Sequence, residues 1–241
     1  MITGAIIQAR VGSTRLPGKV MKEGFPGRTL LSLMLERLGT CKRLDKLIVA
    51  VPESADNDRI ADEARRCGVL VFRGSEADVL TRYVGAARQY RLQMVVRVTS
   101  DCPLIDAEVV DRHVDRMREL WSSVDFVTNM MRQSFALGLA VEAMPIDVLE
   151  RMSRLSTTPY LREHVTTIAY EQPSLFAIDH VMDRQDRSHL RWTVDYPEDL
   201  EFVRAVFGAL YWPGRVFSTQ EVLSYLEHHP EVTQLNAHVG K

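Results

Sequence analysis

Four short apolar runs dominate the first hundred residues: AIIQA at Ala5 to Ala9, KLIVAV at Lys46 to Val51, VLVF at Val69 to Phe72 and MVVRVT at Met94 to Thr99. Near-continuous runs of this length suit strands buried on both faces, as in a parallel sheet covered by its own crossover helices. The intervals supply such helices. Leu30, Leu33, Met34 and Leu38 keep a helical period, as do Ile60, Ala64 and Cys67 ahead of Gly68, a helix stop, and then Leu80, Tyr83, Val84 and Ala87. The alternation predicts an α/β fold with a Rossmann-like, doubly wound mixed sheet, whose ligands gather at the strand C-termini.

After Asp106 the pattern loosens into a helix to about Leu120 and strands at Val124 to Asn129 and Gly138 to Ala143. Helices follow on either side of Thr157-Thr158-Pro159, then a strand at Phe176 to Val181 and the strand-like LRWTVD, Leu190 to Asp195. This reads as a smaller α+β lobe. No repeat, low-complexity tract or Pro/Gly-rich linker interrupts the chain, which predicts a single domain over 1–241. Its parts divide softly near residue 130 and again near 190.

With 46% apolar and 26% charged residues the chain has the make-up of a soluble globular protein. Thirty basic residues against 32 acidic ones leave no bulk attraction for nucleic acid or an anionic membrane, so any anion site must be local. Three cysteines, Cys41, Cys67 and Cys102, form no CxxC pair, and neither a signal peptide nor a membrane span is legible. A cytoplasmic location is the expectation.

Directly after the first strand comes QARVGSTRLPGK, Gln8 to Lys19, with Arg10, Ser13, Thr14, Arg15 and Lys19 around Gly12 and Gly18. A loop at a strand C-terminus carrying two glycines, hydroxyl donors and three cations can wrap a polyphosphate. The alternative is a solvated basic turn built by Gly12, Pro17 and Gly18. It is neither a Walker loop, since Val20 follows Lys19, nor a dinucleotide fingerprint. Asp101 follows the fourth strand at the same sheet edge, where an aspartate before proline can also be a turn cap.

At this loop the sequence resembles the nucleotide-sugar-forming cytidylyltransferases, and among them the spore coat polysaccharide biosynthesis protein F branch, related to the CMP-Kdo and acylneuraminate enzymes. The resemblance is carried by QARVGSTRLPGK, by FRGSEADVLTRY at Phe72 to Tyr83, by RVTSDCPLID at Arg97 to Asp106 and by RWTVDYPEDLE at Arg191 to Glu201. REHVT at Arg162 to Thr166 and HHPEVTQLN at His228 to Asn236 extend it over almost the whole chain.

The resemblance implies a fold of the nucleotide-diphospho-sugar transferase type and transfer of CMP from CTP to a sugar or sugar acid, releasing pyrophosphate, in surface polysaccharide biosynthesis. Residues 1–130 would bind nucleotide, 131–190 would bind sugar and form a homodimer contact, and 191–241 would bring a metal-binding strand and C-terminal helices. Asp101 and Asp195 would hold Mg2+, while Arg15 and Lys19 act with them in catalysis. Arg10, Gly12, Ser13 and Thr14 would complete the phosphate grip. Arg73 and Ser100 would face the base, and Glu142, Arg162 and His164 the acceptor. Asp199 reads as a first-turn acid of a helix. Where relatives read GLDVE this chain has GLAVE, with Ala140 in place of the carboxylate. A glycosyltransferase and a non-catalytic nucleotide-binding protein are the alternatives; the former usually shows Asp-x-Asp, whereas Cys102 and Pro103 follow Asp101 here.

Overall fold

A computed structural model describes residues 1–239. The first half builds a parallel sheet from β1 (Thr3–Gln8), β4 (Lys46–Pro52), β5 (Leu70–Gly74) and β6 (Met94–Thr99), each apolar run of the sequence becoming one strand. Between them lie a small hairpin of β2 (Glu23–Phe25) and β3 (Arg28–Thr29) and the helices α1 (Leu30–Leu38), α2 (Asp58–Arg66) and α3 (Val79–Gln89). Side chains alternate across the sheet: Ala5 and Ile7 enter one core with α1 and α2, while Ile6 enters the other with α3. Local chemistry starts the helices. Thr29 accepts from the Ser32 backbone N–H at 3.0 Å, and Asp78 accepts from that of Thr81 at 2.8 Å.

The second half extends the same sheet. After α4 (Ala107–Glu119) come β7 (Phe126–Thr128), β8 (Glu142–Pro145), α5 (Ile146–Leu155), α6 (Pro159–Glu163), α7 (Thr167–Glu171) and β9 (Ile178–His180), then α8 (Pro197–Leu210), α9 (Thr219–His228) and α10 (Pro230–Gln234). The sheet order is β5-β4-β1-β6-β8-β7-β9, with β8 antiparallel to both β6 and β7. The fold is thus the expected doubly wound mixed sheet with a smaller α+β part. The order of strand addition reverses at β1, with β4 and β5 laid down on one side and the parallel β6 on the other, and a crevice opens there beyond the strand C-termini.

Two expected strands differ. The segment read as Gly138 to Ala143 pairs only from Glu142, because Gly138 adopts φ +113° in a turn pressed against the backbone of Trp192 and Thr193. Leu190 to Asp195 is extended but is no sheet strand. Arg191 bridges Leu137, and the Val194 N–H reaches the Asp101 carbonyl at 2.8 Å, so its hydrogen bonds go to loops.

Candidate active site

The loop from Arg10 to Lys19 leaves the C-terminus of β1 and folds back on itself through Gly18, whose φ of +65° lets its N–H reach the Val11 carbonyl at 3.1 Å. The turn points Lys19 inward. Its Nζ donates to Asp101 Oδ2 at 3.1 Å and to Asp195 Oδ1 at 2.9 Å, so one ammonium ties together carboxylates 94 positions apart in the chain. Arg15 adds a bond to Asp195 Oδ1 at 2.7 Å and stacks over Tyr196.

Burial by itself would lower the Lys19 ammonium, but Asp101 and Asp195 outweigh it and hold it above the ordinary lysine value. Burial likewise pushes Asp101 up, yet Lys19 and the Thr99 hydroxyl bring it below the usual carboxylate range. Lys19 and Asp101 are thus both charged at neutral pH. Cys102 alongside is buried and its thiol pushed up, first by burial and then by Asp101, which makes it packing rather than a nucleophile.

These residues line a cleft of about 390 Å³ with Gln8, Gly12, Ser13, Thr14, Val79, Arg82, Arg97, Ser100, Glu163 and His164. Arg10 crosses one side of it to Glu163 at 3.1 Å. A larger cavity, about 720 Å³, opens near the starts of β4 and β5. There Arg28 pairs with Glu36 and Arg66 with Glu63, and the cavity lies away from the strand C-termini, so the smaller cleft is the candidate.

The cleft therefore gathers Arg10, Gly12, Ser13, Thr14, Arg15, Lys19, Ser100, Asp101, His164 and Asp195. Three expected residues lie elsewhere. Arg73 does not line it: its guanidinium is held by Asp58 and the Glu53 carbonyl on the outer side of β5. Arg162 is a strut, bonded to Asp78 at 2.6 Å, to Thr81, and to the carbonyls of Ser153 and Ser156 that end α5. Glu142 is 2% exposed and serves as counter-ion to Arg97 at 2.6 Å, with Thr166 and Tyr170 donating to the same carboxylate. In all three, a partner distant in sequence takes up the charged group that seemed free for substrate.

His164 enters the cleft at a corner between α6 and α7 where Val165, wholly buried, takes φ +55°. A β-branched residue rarely adopts that conformation, and here it turns Glu163 and His164 outward while Thr166 stays bonded to Glu142. Ala140 is half-buried and faces a small cavity with Asn129 and Phe135, outside the cleft.

Sequence reasoning passed over Arg82 and Arg97, although both stand inside the quoted motifs, and it undervalued Asp199. That carboxylate, wholly buried, receives the backbone N–H groups of Asp195 and Tyr196 and is itself held by Arg191 and Asn236. The only hint in the sequence was an acid two residues past Pro197 with an arginine four residues before Asp195.

Among the described residues, no group of three or more His, Cys, Asp or Glu stands close enough to hold a metal ion. The donors available are the carboxylates of Asp101 and Asp195. Among the described residues, no helix is long and apolar enough to cross a membrane.

Residues 4–228 match the family described as Cytidylyltransferase. The chain is 33% identical over 236 residues to an uncharacterised protein of Methanocaldococcus jannaschii, covering 97% of this chain and 94% of that one. It is 29% identical over 233 residues to the spore coat polysaccharide biosynthesis protein SpsF of Bacillus subtilis, covering 94% of each. Among solved structures, a cytidylyltransferase from Leptospira borgpetersenii superposes with a TM-score of 0.92 at 34% identity, covering 97% of both chains.

Proposed function

The chain belongs to the cytidylyltransferase family, and from that premise we propose that it transfers CMP from CTP to a hydroxyl of a sugar or sugar acid, releasing pyrophosphate, in the making of surface polysaccharide. The observation that carries the reading is the convergence of Lys19 on Asp101 and Asp195 beneath a loop of phosphate donors. Two carboxylates and two loop cations within bonding distance suit a reaction that moves negative charge from one phosphate to the next.

The acceptor oxygen bonds to the α-phosphorus as the bond from that phosphorus to the bridging oxygen breaks. The hydroxyl proton passes to water, and charge collects on the departing pyrophosphate. Arg15 and Lys19 neutralise that charge, and Arg10, Ser13, Thr14 and the exposed backbone at Gly12 hold the triphosphate in line. Asp101 and Asp195 would hold Mg2+, which takes one or two carboxylates and completes its shell with waters and phosphate oxygens. Bound there, it would supply Lewis-acid stabilisation of the phosphate being attacked. Ser100 and His164 are left to contact base and acceptor.

The test is pyrophosphate release from each of the four ribonucleoside triphosphates with Mg2+, against a panel of acidic and neutral sugars. Release that requires both CTP and an acceptor is expected. Tight nucleotide binding without release for any acceptor would instead favour a non-catalytic binding protein. Full turnover in Asp101→Asn and Asp195→Asn would remove the metal assignment.

A further inference from the structure

Both ends of the segment that carries Asp195 are tied by one side chain from the far end of the chain. Arg191 stands four positions before Asp195 and Asp199 four positions after it. Asn236 Nδ2 donates to the Arg191 carbonyl at 3.0 Å and to Asp199 Oδ1 at 2.9 Å. A carbonyl and an ionised carboxylate only accept, so the amide nitrogen, with its two hydrogens, is the atom that must face them. Asp199 passes the constraint on. Its Oδ2 receives the N–H groups of Asp195 and Tyr196, and Arg191 returns to the same carboxylate through Nε and Nη2. The amide thus closes a ring, from the main chain at 191 to the side chain at 199, around the bend from which Asp195 enters the cleft.

We propose that Asn236 is a positioning residue for the transfer, acting through Asp199 to hold the Asp195 carboxylate beside Lys19 and Asp101. The assignment rests on the cytidylyltransferase reading above, with Asp195 as a metal-holding carboxylate. It gives the terminal motif HHPEVTQLN, His228 to Asn236, a part in the reaction. Asn236 is 2% exposed and comes two residues after α10, whose Val232 is anchored in the core and which packs on α8 and α9. Burying an amide is unfavourable unless it is bonded, and an apolar side chain could fill the same space. What the amide adds over an apolar residue is therefore its two bonds, and both go to the segment that bears Asp195.

Titration of the full chain with Mn2+ in the presence of CTP and without an acceptor tests this, the free ion being followed by its electron paramagnetic resonance signal. Mn2+ stands in for Mg2+ and reports on the site without turnover. Asn236→Leu and Asn236→Ala, one similar in size and one smaller, both remove the donors. Each is expected to weaken Mn2+ uptake by about tenfold and to lower kcat by a similar factor, with CTP affinity measured without metal unchanged. Placed beside Asp199→Asn, either substitution should add little, since its effect runs through that carboxylate. Val232→Ala loosens α10 without touching the amide, and it should lower the melting temperature while leaving Mn2+ uptake intact. If the Asn236 variants also lose only melting temperature, or if their effect adds in full to that of Asp199→Asn, the proposal is overturned and the proposed function stands. If the unaltered protein binds CTP but takes up no Mn2+, the inference falls with the metal assignment. If it does not bind CTP, the proposed function falls as well.

Discussion

Asp199 Oδ2 lies 2.9 Å from the backbone nitrogen of Asp195 and 3.0 Å from that of Tyr196. A carboxylate in the first turn of α8 thus fixes the direction in which the Asp195 side chain leaves its backbone. Arg191 fastens the carboxylate through Nε at 2.8 Å and Nη2 at 2.9 Å, and Asn236 from the C-terminal end of the chain adds a third donor at 2.9 Å. The carboxylate that meets Lys19 is therefore held by one that meets no substrate.

Asp199→Asn keeps the shape but loses the capacity to accept every one of these bonds. With Asp195 as the proposed metal ligand, turnover is expected to fall by about tenfold to a hundredfold, with nucleotide affinity changed less. Asp199→Ala strands the half-buried Arg191 and should cost about 3 kcal/mol or more in urea unfolding. Steady-state kinetics and a denaturation series check the two outcomes.

Gly138 is required where the chain crosses the segment carrying Asp195. A Cβ there would stand 2.6 Å from the Thr193 nitrogen and 2.6 Å from the Trp192 carbonyl carbon, both backbone, at a φ of +113°. Gly138→Ala should therefore lose on the order of 3 kcal/mol in thermal unfolding and weaken nucleotide binding with it. Ala140→Asp, two positions on but outside the cleft, should leave nucleotide affinity unchanged.

Glu142 is expected to matter through Arg97 and not through the acceptor. Glu142→Gln leaves a guanidinium in the sheet without its counter-charge, at a cost of about 3 to 5 kcal/mol. Urea midpoints should drop, while in whatever folded enzyme remains the acceptor KM stays near its original value. A selective rise in that KM at unchanged stability would return Glu142 to the substrate.

His113 makes the fold sensitive to acid. It is wholly buried on α4, its Nδ1–H meets the Val109 carbonyl at 2.7 Å, and its Nε2 has no partner. Burial lowers it to about 4. The unfolded chain takes up a proton on this residue below about pH 6.5, whereas the folded chain resists until about 4. Stability is full above the higher value and falls as pH drops between the two, by up to roughly 3 kcal/mol. His113→Leu should flatten that part of the curve, seen by comparing urea midpoints of the two proteins at neutral and acid pH.

Much of the frame was legible because its signals are local. Buried parallel strands must be apolar along their length, so β1, β4, β5 and β6 stand out, and a loop dense in glycine and cations at a strand end stands out beside them. The later strands were harder to bound. β8 begins after a turn that only the Trp192 and Thr193 backbone explains, and Leu190 to Asp195 has the alternation of a strand but finds loops as partners.

By itself, then, the sequence determined the α/β layering, the order of its elements and the loop from Arg10 to Lys19, since periodicity and turn chemistry act over a few residues. Only the tertiary structure decided which charges are free. Arg73, Glu142 and Arg162 resemble ligand-binding residues in one dimension and are spent on Asp58, Arg97 and Asp78, partners 15, 45 and 84 positions away. Arg82 resembles an ordinary helix cation and is the one in the cleft left without a carboxylate among the described residues. The physical reason is that the cost of a buried charge depends on what lies within a few ångströms of it, and that neighbourhood exists only once the sheet has brought distant segments together.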